Sequence, residues 1–74
     1  MAAMLNLEAV GPRGEELALA AGDAIDVPVG FDPDLECATF DSDSLDREDL
    51  KGAVEIALAD LDPDWQTHLQ VLDD

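Results

Sequence analysis

Cysteine, histidine and positive charge are nearly absent from this chain, and each shortage removes a class of function. The single cysteine, Cys37, rules out an internal disulfide and suits a reducing compartment. Flanked by Glu36 and close to Asp34, it reads as a small apolar residue and not as a reactive thiol. His68 is the only histidine. No Cys/His pair, zinc spacing, phosphate loop or Gly-x-Ser-x-Gly elbow accompanies it, so enzymatic and metal chemistry are not expected and no cofactor is implied. The N-terminus has neither a basic leader region nor an apolar run of signal length, and no stretch approaches the roughly 18 apolar residues of a membrane span. A cytoplasmic protein is the expectation.

Three bases, Arg13, Arg47 and Lys51, face nineteen acids, for a net charge of −16. Small domains shaped only for solubility carry a magnitude of roughly 2 to 8. The surplus repels itself and opposes folding. It excludes direct nucleic-acid binding, which rests on cationic contacts to phosphate, and an anionic lipid surface would repel it as well. Hydrophobic residues nevertheless make up 47% of the 74, a globular composition, so one small folded domain spanning 1–74 is expected.

Glycine and proline punctuate the first half at Gly11, Pro12, Gly14, Gly22, Pro28, Gly30 and Pro33. Between them, Leu5 and Leu7 flank Asn6, Leu17 and Leu19 flank Ala18, and Ile25, Val27 and Val29 alternate with Asp26 and Pro28. This period of two predicts strands near 3–10, 15–21 and 24–29, joined by turns at 11–14 and 22–23 into an antiparallel meander, with Pro28 at an edge or strand end. A fourth strand fits 35–40. After Asp43-Ser44, Leu45, Leu50, Ala53, Val54, Ala57, Leu58 and Leu61 recur at helical spacing, and Asp46, Glu48 and Asp49 suit a helix start. One main helix over about 44–60, capped by Ser44, is predicted. Val54, Ile56 and Leu58 also alternate, which leaves a short helix followed by a strand as the rival for 53–61. Asp62-Pro63 ends the element, and alternation from Trp65 to Val71 predicts a last strand, with Trp65 either in the core or an interface anchor. The whole is an α+β domain: a small antiparallel sheet of about four or five strands with one helix on a face.

The acids run in two clusters, Asp41, Asp43, Asp46, Glu48 and Asp49 within nine positions, and Asp60, Asp62 and Asp64 within five. In extended chain, carboxylates two residues apart lie about 6.5 Å from each other, on the scale of phosphate spacing in DNA, about two of the roughly 3.4 Å axial steps along one strand. Charges within a Debye length of about 8 Å act as one field. These eight residues are the candidate partner-binding set, presented to a basic groove that normally holds nucleic acid. Two calcium-loop readings fail early. Trp65 stands where the loop starting at Asp60 needs glycine and Val71 where it needs glutamate, while Leu45 and Gly52 break the run starting at Asp41.

Two resemblances follow. Asp43-Ser44-Leu45-Asp46 with Asp49-Leu50 resembles the attachment motif of acyl carrier proteins. That likeness implies phosphopantetheine on Ser44 and an acidic helix read by basic enzymes, although the first 43 residues lack the family's long first helix. In size, charge and α+β architecture the chain resembles phage-encoded DNA-mimic inhibitors, anti-CRISPR proteins among them. That likeness implies an inhibitor in the host cytoplasm that blocks the DNA groove of a CRISPR-Cas surveillance complex or another DNA-handling machine. An acidic immunity protein or antitoxin, and a small protein adapted to a salt-rich cytosol, are the remaining alternatives.

Overall fold

Alternating burial defines the first element. Leu5, Leu7 and Ala9 turn inward from strand β1 (Ala3–Ala9) while Met4 and Glu8 face solvent, as the period of two predicts. The computed structural model describes residues 3–72.

The next segment departs from expectation: residues 15–21 are helical, inside α1 (Pro12–Ala24), and the supposed turns at 11–14 and 22–23 belong to its start and its last turns. Gly11, at φ 80°, makes the bend, and Pro12 occupies the first helical turn, where a missing N–H loses nothing. The buried positions Gly14, Leu17, Ala18, Ala21 and Gly22 fall at i, i+3, i+4, i+7 and i+8, the spacing of a core-facing helix stripe. Glycine and alanine fill four of those five places, so the stripe is hidden from a hydrophobicity reading, and the alternating Leu19 points outward at 45% exposure. Close packing explains the small residues: a Cβ on Gly14 would stand 2.6 Å from the His68 carbonyl oxygen and 2.9 Å from the Ala9 Cα.

The helix ends in a Schellman arrangement. Asp26, at φ 57°, donates its N–H to the Asp23 carbonyl (3.3 Å), and Val27 donates to that of Gly22 (2.9 Å). The strand expected over 24–29 is therefore a helix end and a connection as far as Pro28, and only Val29 of it is strand. Strand β2 (Val29–Asp32) begins one residue past Pro28 and lies at a sheet edge, where a proline nearby interrupts no ladder on the outer side.

The Asp32 carboxylate accepts from Asp34 N–H (2.9 Å) in the turn that follows, and β3 (Cys37–Ser42) starts two residues later than the sequence suggests. Ala38, Phe40 and Ser42 point inward from it. The second helix, α2 (Arg47–Leu61), is continuous, which removes the helix-then-strand rival. Asp46 caps it by accepting from Asp49 N–H at 2.8 Å. Ser44 is not the cap; it lies in the preceding loop, where the buried Ser42 hydroxyl accepts from Ser44 N–H (3.3 Å) and Leu45 N–H (3.1 Å). Trp65–Thr67 form a 3₁₀ turn, not strand, because backbone bonds from Thr67 to Asp64 (2.9 Å) and from His68 to Trp65 (2.9 Å) coil the chain before β4 (Leu69–Val71). Trp65 is core, only 9% exposed.

The four strands pair antiparallel in the order β2-β3-β1-β4. The expected meander is absent because β3 enters between β1 and β2, giving the split β-α-β, ferredoxin-like topology. The α+β class with a four-stranded antiparallel sheet stands, with two helices in place of one. Both helices pack against β1 and each other on one side of the sheet. Phe40, Leu5, Leu7, Leu50, Leu58, Leu69 and Val54 are sealed between the layers. The other sheet face carries Met4, Glu8, Thr39 and Asp41, with Thr39 Oγ1 donating to Asn6 Oδ1 at 2.8 Å. Among the described residues no helix is long and apolar enough to cross a membrane.

Candidate partner-binding surface

Each acid of the first cluster is set by the β3-to-α2 passage. Asp41 ends the outward-facing row of β3, Asp43 stands in the loop, Asp46 caps α2, and Glu48 and Asp49 occupy its first turn. All five are exposed. Three of them sit where helix physics favours anions, at the N-terminus of α2.

Topology adds acids that the linear clusters do not contain. The connection leaving α1 is tied to the end of β3 by Asp41 N–H donating to the Pro28 carbonyl at 3.1 Å, which sets it beside the β3–α2 loop. A cleft of about 480 Å³ lies between residues 25–28 on one wall and 41–45 on the other, with Asp26 facing the region of Asp41 and Asp43. Asp23, in the last turn of α1, borders the shallow hollow next to it. Asp23 opposes its helix dipole, since the last turn of α1 holds no base to offset it. Nothing in the linear pattern marks Asp23 or Asp26; only the crossover brings them to the Asp41–Asp49 run.

The second cluster is elsewhere. Most of the length of α2 (Arg47–Leu61) separates the two, with Asp49 and Asp60 about 16 Å apart along the helix axis, so Asp60, Asp62 and Asp64 lie at its other end. Asp62 is engaged within the chain: its Oδ2 lies 3.5 Å from Arg13 Nη2 and 3.8 Å from His68 Nε2, and its Oδ1 accepts from Asp64 N–H at 2.9 Å. The eight candidates thus divide between the two ends of α2, and at the second end Asp62 is held by Arg13 and His68. Arg47 and Lys51 lie in the first two turns of α2, beside the acidic end.

None of the seventeen described acids is buried, and only Glu55 and Asp62 are half-buried. Exposed carboxylates of this kind accept charge-assisted hydrogen bonds from guanidinium and ammonium groups. Ser44, exposed in the β3–α2 loop, has a four-stranded sheet behind it, unlike the helical surroundings that the acyl carrier resemblance implies. Cys37 is half-buried, its Sγ donating to the Leu35 carbonyl at 3.3 Å. Among the described residues no three His, Cys, Asp or Glu side chains gather as metal ligands would. Compared with known proteins, the chain matches no family model, no curated sequence and no solved structure.

Proposed function

We propose that this protein is a non-enzymatic inhibitor that offers its acidic end to a cationic groove built for nucleic acid. The observation that carries the proposal is the convergence of three segments there: the end of α1 with Asp23 and Asp26, the end of β3 with Asp41 and Asp43, and the start of α2 with Asp46, Glu48 and Asp49. Carboxylates so grouped attract Arg and Lys at long range and then exchange water for direct contacts. The resemblance to acidic phage inhibitors makes a CRISPR-Cas effector the target class to try first.

The test is competition with duplex DNA for such a complex at low and physiological salt. Asp23→Lys, Asp43→Lys and Glu48→Lys together should abolish displacement of DNA, whereas Asp34→Lys, Glu36→Lys and Asp64→Lys, exposed and away from that end, should leave most of it. A folded triple variant of the acidic end that still displaces DNA like the parent overturns the proposal.

One observation favours a second reading, adaptation to a salt-rich cytosol. The acids also extend to Glu8 on the open sheet face and to Asp34 and Glu36 on the β2–β3 turn, beyond any single binding end. That reading requires unfolding in dilute buffer, and a folded spectrum there removes it.

A further inference from the structure

α1 and α2 lie side by side, and the solvent face of their seam is apolar. Ala24 and Ile25 from the end of α1 and Ala53, Ile56 and Ala57 from α2 line a shallow groove of about 740 Å³. Ile56 projects from its rim at 74% exposure, more than any other large apolar side chain among the described residues. Single exposed apolar residues are ordinary, but this one stands over a continuous apolar floor. Alanines along the floor keep side chains short, so an incoming side chain can approach the helix backbones.

Charge around the groove is of one sign. At about 100° per residue, Asp49, Ala53, Ile56 and Asp60 share one flank of α2, so carboxylates stand at both ends of the apolar ridge. Across the seam Glu16, Ala20 and Ala24 follow at i, i+4 and i+8, and Asp23 lies beside them. All four of these acids are exposed. Lys51 and Arg47 are about 140° and 180° around α2 from Ile56, and Arg13 pairs with Asp62. Ile25 lines both this groove and the acidic cleft, so the two surfaces are continuous.

We infer that the α1–α2 groove is the docking site for an amphipathic helix of a partner protein, with apolar side chains seated over Ala53 and Ala57 beside Ile56 and flanking Lys or Arg residues meeting Glu16, Asp23, Asp49 and Asp60. Charge complementarity selects this occupant. A second copy of the chain, itself at −16, would bring like-charged rims together. A helix laid in a groove matches apolar contacts at i, i+3, i+4 and i+7 to such a floor and places its cations at the rims. The inference rests on the cationic-partner proposal above and adds to it the place and shape of the anchor.

The experiment titrates the protein at ~150 mM salt with a synthetic Leu/Lys peptide of roughly four helical turns, its leucines on one face, and with a scrambled peptide of identical composition. The amphipathic peptide should bind at least roughly tenfold more tightly than the scrambled one, and Ile56→Ser should remove that advantage while Leu35→Ser, at an exposed apolar residue on the β2–β3 turn, should not. Equal binding of the two peptides, or equal loss in both variants, overturns the groove and leaves the acidic-end proposal standing. Binding of neither peptide overturns both.

Discussion

Gly14→Ala and Gly52→Ala are chemically the same substitution in two helices, and the packing gives them opposite signs. In isolation, alanine is favoured over glycine in a helix by about 1 kcal/mol. At Gly52 a Cβ meets nothing within 4 Å, so most of that gain should appear as stability. At Gly14 the added carbon would stand 2.6 Å from a carbonyl oxygen and 2.9 Å from an α-carbon, backbone atoms that no rotamer change can move aside. Overpacking of this kind costs about 1–3 kcal/mol, and the rigid neighbours place this case in the upper part of that range. The expected net is a loss of about 1–2 kcal/mol for Gly14→Ala against a gain of about 0.5–1 kcal/mol for Gly52→Ala. Urea unfolding followed through the fluorescence of Trp65, the sole tryptophan, reads both. With a slope near 1 kcal/mol per molar, the midpoints should move by about 1–2 M downward and 0.5–1 M upward. Midpoints moving in the same direction would refute the close approach of α1 to the end of β1.

Four more outcomes follow from the same structure. Asp26→Gly should stabilise the chain by about 0.5–1 kcal/mol in the same urea experiment, because glycine adopts a φ of 57° freely and the change removes an anion from a helix C-terminus. Asp46→Ala should cost about 1 kcal/mol by deleting the carboxylate that accepts from Asp49 N–H, with a chemical-shift change confined to the first turn of α2. Phe40→Ala, at a fully buried position between the layers, should cost about 3–5 kcal/mol, and an unchanged melting temperature would contradict its place in the core. Raising ionic strength from about 0.01 to 0.15 M shortens the Debye length from about 30 to 8 Å and should raise the melting temperature by screening self-repulsion; a flat response would mean that the net charge of −16 places no strain on the fold.

Periodicity revealed the elements whose buried face is made of large side chains. Leu5 and Leu7 announce β1, Leu50, Val54 and Leu58 announce α2, and each lies within a few residues of its predicted span. It failed for α1, where the buried stripe is Gly14, Leu17, Ala18, Ala21 and Gly22. There the core demands closeness, so the residues that fit it look like breakers, and Leu17 and Leu19 imitate a strand. Pro12 directly after Gly11, followed by the strong helix formers from Glu15 to Ala21, was the available signal. The candidate surface was half legible for a related reason. Asp41 to Asp49 are neighbours in the chain and remain so in space, but Asp23 and Asp26 join them only through the β-α-β crossover, and Asp60 to Asp64 are carried away by the length of α2.

The position of β1 also governs how the molecule can assemble. Although it comes first in the chain, it is an interior strand, hydrogen-bonded on one side to β3 and on the other to β4, with Leu7 opposite both Ala38 and Val71. During synthesis this segment therefore waits for residues 37–42 to form its first ladder and for residues 69–71 to form its second, and contacts this distant in sequence slow folding. Over that interval like-charge repulsion along the growing chain opposes contact of Leu5 and Leu7 with other molecules, so carboxylates that repel one another in the finished fold favour solubility of the unfinished one.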